Sequence, residues 1–426
     1  MTEHQWLFFA ATAGLADYDA KAESVHYILS MIPSFIEAPA MPMQVDRRQF
    51  LGAAAGVMLL GGAEVWAQPA ATERLEPKIQ ELLTPILKKH DLPALGAAMV
   101  KQEGLVAVGV VGVRKRGDET PVTIDDRFHL GSNTKALTAT MLGRLVEEGA
   151  LHWDASIGKI FPELEAEIPA ALKAVTLEQL LSHRSGLPRE FPNVRVWGEF
   201  AKAGPLREQR LAVLKRAAQE TLSPAGEKMV YSNMNYVIAA AMGEQVTKQP
   251  WEDLLRDKLF APLGINSFGF GPMGRPDRVE QPWPHHADGR PQPPVPQADN
   301  VPAMGPAGRV HLSLGDWARF VADQLRGAAG LKALLSPETY KKLHWSPSPR
   351  PFYTVGGWAG QSEPDLVLAH DGSNTMNYAT ALLLPRRNIA VLVVTNQGTV
   401  GGPGQKGCQE ACDLLLRAFV TKSPTG

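Results

Sequence analysis

Short apolar runs closed off by turn residues gather at the two ends of this chain, and that placement restricts the fold more than any other feature. Two lie near the amino end, at residues 94–100 and 105–113, and four near the carboxyl end, at 353–359, 366–370, 377–384 and 389–395. The last two flank Pro385-Arg-Arg-Asn388 and read as a hairpin. From Ser132 to about residue 257 apolar residues recur instead with a helical period, and helices are expected at 73–90 and from about 405 to 420. Strands at opposite ends of one chain pair only if the ends come together. The pattern therefore predicts an α+β fold, with one antiparallel sheet built from both ends, flanked by helices and carrying an all-helical lobe over about 130–304. Residues 272–306 are rich in proline and predict a long loop lying over the cleft. There is no internal repeat.

A length of 426 residues would allow several domains, but this pattern reads as one domain of two lobes. With a net charge of −1 and a pI near 6.8, nothing favours a nucleic acid or an acidic membrane as partner. The amino end carries a different signal. Asp46-Arg-Arg-Gln-Phe-Leu51 is a twin-arginine pattern, a small-residue apolar stretch follows to Leu60, and Val65-Trp-Ala67 offers a cleavage site before Gln68. That stretch is shorter than the roughly 20 residues a membrane span needs. The expected organisation is an extension at 1–40 upstream of a true start at Met41 or Met43, a signal peptide at 41–67 and a hydrolase domain at 68–426. Export through the twin-arginine machinery by way of residues 46–51 would leave a periplasmic or secreted protein with no membrane span. Cys408 and Cys412 sit one helical turn apart, where a disulfide is geometrically awkward, so both are expected to be buried helix residues.

Three segments carry chemistry. Ser132-Asn-Thr-Lys135 reads as the opening of a helix, whose i and i+3 positions share a face, so the serine hydroxyl and the lysine amine can meet. A desolvated neutral amine can draw off the hydroxyl proton, and the helix N-terminus aims N–H groups at developing negative charge. The stripe Leu137, Met141, Leu142, Leu145, Val146 behind this pair, closing at Gly149, supports the helix. A second Ser-x-x-Lys, Ser156-Ile-Gly-Lys159, lacks such a stripe and reads as surface loop or short helix. Tyr231-Ser-Asn233 is the chain's one Tyr-x-Asn; in an extended segment its phenol and amide face the same way. Finally, Ala369-His370-Asp371-Gly372-Ser373-Asn374 follows an apolar stretch and reads as a strand end bordering a site.

In this order and spacing the segments resemble the penicillin-binding-protein and class C β-lactamase superfamily of serine hydrolases. Supporting stretches are Leu180-Leu-Ser-His-Arg-Ser-Gly-Leu-Pro188, Pro262-Leu-Gly264, the run from Gly308 to Phe320, and Val393-Val-Thr-Asn396; the resemblance covers about residues 72–421. It implies a β-lactamase/transpeptidase-like fold and two-step acyl transfer without metal or organic cofactor. Ser132 would be the nucleophile, Lys135 and Tyr231 the general bases, and Asn233 a group holding substrate or lysine. The backbone N–H groups of Ser132 and Ser373 would form the oxyanion hole.

One departure bears on substrate. Where β-lactamases and D-Ala-D-Ala peptidases of this superfamily carry Lys-Thr-Gly or Lys-Ser-Gly, which helps bind a carboxylate, this chain has His370-Asp371-Gly372. A fixed positive charge is lost, and a carboxylate stands where the hydroxyl would be, which is expected to repel an anion. His370, Gly372 and Ser373 are therefore expected substrate-site residues, and the expected substrate is a small ester or amide lacking a free carboxylate, as for the related family VIII esterases. The alternatives are a β-lactamase, a D-Ala-D-Ala carboxypeptidase or D-amino-acid peptidase, or an inactive peptidoglycan-binding module. The chain contains no Gly-x-Ser-x-Gly elbow. Gly269-Phe-Gly-Pro-Met-Gly274 is interrupted by proline and His285-His286 lacks metal-site context, so both read as loop. His183 reads as a packing or capping residue.

Overall fold

The computed structural model describes residues 76–345, 352–361 and 365–420. The expected extension and signal peptide lie outside the described residues. The strands are β1 (Ala94–Lys101), β2 (Gly104–Gly112), β3 (Arg127–His129), β4 (Gly269–Phe270), β5 (Val310–Ser313), β6 (Phe352–Tyr353), β7 (Ala359–Gln361), β8 (Val367–Ser373), β9 (Tyr378–Leu384) and β10 (Ile389–Thr395). The longer helices are α1 (Glu76–Lys89), α2 (Thr134–Glu147), α3 (Leu206–Ala217), α4 (Asn233–Thr247), α5 (Leu314–Ala328), α6 (Pro337–His344) and α7 (Pro403–Val420).

The two ends of the chain do meet in one sheet. Its order is β2-β1-β10-β9-β8-β7-β6, every pair antiparallel, and β1 seals the two halves by pairing with β10 from Leu95–Thr395 to Val100–Ala390. Alternation along each strand divides the core. Leu95, Ala97, Met99, Val391 and Val393 pack with Ile79 and Leu83 of α1 and Leu415 of α7. Ala94, Ala98, Leu392 and Val394 pack toward α2, α5 and the helical lobe. Each buried leucine or valine contributes on the order of 1.5–3 kcal/mol. The sheet is thus apolar on both faces and sandwiched between helical layers. Cys408 and Cys412 are buried free thiols on α7, against the sheet.

Four details differ from the sequence expectation. The run at 353–359 is two short strands, β6 and β7, which pair with each other around a turn at Gly356-Gly357. Glycine is needed there because a Cβ on Gly357 would strike the Lys135 and Ala136 backbone at 2.8–2.9 Å. β8 runs to Ser373, three residues past its expected end, so the whole His370 triplet is strand. A second sheet, in the order β3-β5-β4, lies beside the first. The proline-rich loop does not simply cover a cleft: it sends the Asp299 side chain into the interior and pairs His285 with Gln397 beside the main sheet.

Candidate active site

Ser132 does not open α2 directly. It occupies a single 3-10 turn, Gly131–Asn133, on which α2 is stacked, and its side chain caps nothing. The turn is set by Gly131, held at φ +50° where L side chains are strained. A Cβ there would also lie 2.3 Å from the Ser373 nitrogen. From the opposite side, a Cβ on Gly372 would lie 2.0 Å from the Leu130 carbonyl oxygen and 2.7 Å from the Ser132 nitrogen. Two glycines therefore allow β8 to run against the serine turn, and they bring the backbones of Ser132 and Ser373 side by side.

α2 is buried on almost every face, and Lys135 in its first turn is fully buried. The lysine Nζ lies 3.2 Å from Ser132 Oγ, 2.9 Å from Asn233 Oδ1 and 2.7 Å from the Ala307 carbonyl oxygen. The amide oxygen and the carbonyl can only accept, so they take two of the amine's hydrogens. The direction toward Ser132 is left to a third hydrogen in the ammonium or to the lone pair in the neutral amine. The amine also sits 4.8 Å above the centroid of the Tyr231 ring. Asn233 is the first residue of α4, and Ser232 before it is extended, which turns phenol and amide toward the lysine.

His183 explains how Tyr231 is held. Its backbone oxygen accepts from Val230 N at 2.8 Å and its Nδ1 from Ser232 N at 3.2 Å, so it brackets the tyrosine on both sides. Its ring packs 4.4 Å from the Tyr231 ring. This is the packing role expected of it.

His370 is placed differently from a group that reaches for a ligand. Its Nδ1 lies 2.6 Å from the Asp371 carbonyl oxygen, an obligate acceptor, so Nδ1 carries the hydrogen. Nε2 then accepts from the Tyr353 hydroxyl at 3.0 Å. Both ring nitrogens are engaged within the protein. Tyr353 was not foreseen as a site residue. Its ring packs against both His370 and Tyr231, with centroids 5.7 and 5.9 Å away, while those two rings lie 6.4 Å apart, and burial drives its phenol pKa far above the ordinary range.

The expectation that Asp371 would repel an anion in the cleft is corrected. It alternates with His370 and Gly372 along β8 and takes the opposite face, where its Oδ1 accepts from Thr380 Oγ1 at 2.8 Å and its charge adds to burial, the main cause, in raising the pKa of the Cys408 and Cys412 thiols. The second Ser-x-x-Lys is also placed apart: Ser156 caps the short helix Ile157–Ile160 by accepting from Lys159 N. His285, buried and with its pKa pushed down to about 4 chiefly by burial, joins Arg116 N to the Asn396 carbonyl and is loop structure.

The structure thus brings Ser132, Lys135, Tyr231 and Asn233 together, with Gly372 and Ser373 against the serine turn and His370 beside Tyr353 and Tyr231. A buried amine at hydrogen-bond distance from a serine hydroxyl suits nucleophilic acyl transfer. The "Beta-lactamase" family model matches residues 79–407. The chain is similar to penicillin-binding protein 4 of Amycolatopsis lactamdurans, 28% identical over 75% of this chain and 84% of that protein. In fold it is similar to a class C β-lactamase from Rhodobacter sphaeroides, with a TM-score of 0.64 and 18% identity over 80% of this chain and 99% of the other. It is likewise similar to D-amino acid amidase from Ochrobactrum anthropi SV3, with a TM-score of 0.65 and 19% identity over 83% of this chain and all of that one. The chain belongs to the β-lactamase family and is a serine hydrolase of that family.

Proposed function

We propose that this protein is an exported hydrolase that forms an acyl-enzyme on Ser132 and prefers small neutral esters. Ser132 Oγ attacks the substrate carbonyl while its proton passes to Lys135 and Tyr231. The two basic groups are close enough to titrate as a coupled pair, so the proton belongs to the pair. The N–H groups of Ser132 and Ser373 receive the oxyanion, the alcohol leaves with the proton, and water releases the acyl group. Asn233 keeps the lysine amine in place. Export rests on the twin-arginine pattern at residues 46–51.

The observation that carries the substrate class is the arrangement of β8. The position of an anion-binding lysine is taken by His370, engaged on both nitrogens, and Asp371 faces the far side of the sheet. A charged hydrogen bond to a substrate carboxylate contributes roughly 1.5–3 kcal/mol, which is about tenfold to more than a hundredfold in rate. Without that bond, kcat/KM for p-nitrophenyl butyrate should exceed that for nitrocefin at pH 7 by at least tenfold. The reverse ranking on purified protein would replace the ester reading with a β-lactamase one. A neutral amide also lacks a carboxylate, and the likeness to a D-amino acid amidase supports it as the second substrate class; D-phenylalaninamide in the same panel separates the two.

The close approach at Gly372 leads to a further expectation. Gly372→Ala forces a methyl group against the Leu130 carbonyl and the Ser132 nitrogen, so one of the two segments must move. Since losing an oxyanion donor costs on the order of 10²–10³ in kcat, displacing one should lower kcat at least about tenfold with a smaller change in KM. An unchanged kcat would show that this contact does not set the position of the donors.

A further inference from the structure

Toward its end the proline-rich loop carries a carboxylate that the acyl-transfer chemistry does not call for. The Asp299 side chain is fully buried. Its Oδ1 lies 3.0 Å from His129 Nε2 and accepts from Asn374 Nδ2 at 2.9 Å, while its Oδ2 lies 3.5 Å from Arg309 Nε. Burial pushes its pKa upward, but its polar and charged neighbours His129, Arg309 and Asn374 outweigh burial and hold it at about 2. The carboxylate is therefore charged, and His129 and Asn374 both lean on it.

Each of those residues leads to a different arm of the oxyanion site. His129, the last residue of β3, accepts from Gly131 N through Nδ1 at 3.0 Å. Accepting there requires Nδ1 to be bare, so the ring hydrogen is on Nε2, whose nitrogen stands 3.0 Å from Asp299 Oδ1. The left-handed turn that presents Ser132 N is thus tied to the carboxylate through one imidazole. On the other arm, Asn374 Oδ1 accepts from Met376 N at 3.3 Å and from Asn377 Nδ2 at 3.0 Å. Ser373 Oγ donates to the Asn377 carbonyl at 2.8 Å and accepts from Thr375 N at 2.9 Å. The turn that presents Ser373 N is thus tied to the same carboxylate through one amide. Asp299 is the point at which the two arms meet.

We infer that Asp299 and His129 are positioning residues that set the spacing of the Ser132 and Ser373 N–H groups, an inference that rests on the acyl-transfer reading of the site. Neither touches the reacting atoms. Their work is geometric: the imidazole holds one donor, the asparagine the other, and the carboxylate fixes the distance between them.

The test measures inactivation of the full chain by a neutral p-nitrophenyl alkylphosphonate, whose attack by serine needs the oxyanion site but no natural substrate. Two near-isosteric replacements divide the functions of His129. His129→Asn puts an amide oxygen where Nδ1 was and keeps an acceptor for Gly131 N; His129→Gln puts its amide nitrogen near Nε2 and loses that acceptor. His129→Gln and Asp299→Asn should lower kinact about ten- to a hundredfold, with KI within about threefold of the parent, because a donor is misplaced rather than removed. His129→Asn keeps the acceptor for Gly131 N but breaks the tie to Asp299, so it should lose kinact about as Asp299→Asn does. The double variant Asp299→Asn/His129→Gln should be little worse than the worse single variant, since both act on one network. A folded His129→Asn or Asp299→Asn within threefold of the parent, or fully multiplying losses in the double variant, would each overturn the inference. Should a His129 variant not melt cooperatively, Asp299→Asn alone decides the matter. An unlabelled parent chain would instead refute the acyl-transfer reading, and a preference for nitrocefin over esters would leave this test untouched.

Discussion

Ser132→Ala should abolish covalent labelling by a serine-reactive phosphonate and remove essentially all ester turnover. In a hydrolase whose nucleophile and base act as a unit, loss of the nucleophile costs on the order of 10⁶ in kcat. The substitution removes one hydroxyl and little volume. Lys135 keeps Asn233 Oδ1 and the Ala307 carbonyl as partners, so the fold and the lysine's position should survive. Ser156→Ala is the matched control, because Ser156 belongs to the other Ser-x-x-Lys but only caps a short helix. It should label like the parent chain. Normal labelling of the Ser132 variant would remove Ser132 from the chemistry.

The next largest effect should come from Tyr231→Phe. Loss of a general base typically costs 10²–10⁴-fold in rate, and the loss should appear in kcat/KM for a neutral ester. The ring contacts do not depend on the hydroxyl: His183 packs 4.4 Å from the Tyr231 ring centroid and Lys135 Nζ lies 4.8 Å from it. The bracket formed by His183 around Val230 and Ser232 uses only backbone groups of the tyrosine's neighbours. Thermal melting should therefore change little. A fall of less than about tenfold in kcat/KM would mean that the ring, not the phenol, is what the site needs.

The large sheet was legible because its long strands are apolar on both faces and closed by turn residues, and because strands at opposite ends must meet. The small sheet was not legible: β3, β4 and β5 span two to four residues each and leave no periodic trace. Ser132 and Lys135 showed themselves through the i, i+3 spacing and the stripe behind them, although the sequence did not indicate the extra 3-10 turn that Gly131 imposes. The sidedness of Asp371 could have been read from alternation, since a strand carrying His370 and Gly372 on one face turns Asp371 to the other. Tyr353 and Asp299 had no such signal. Their importance arises from contacts with His370, His129 and Asn374, which are distant in sequence and are made by a two-residue strand and the end of a loop.

Ser132 should carry the acyl group between the two steps, and that intermediate can be observed directly. Mixing the purified chain with a slowly deacylating p-nitrophenyl ester, quenching in acid, and mapping the digested protein by mass spectrometry should show the acyl mass on the peptide containing Ser132. The modified fraction should decay as free acid is released, and the peptide containing Ser156 should remain unmodified. An acyl group on another residue, or turnover of the ester with no acylated peptide at any quench time, would contradict the account.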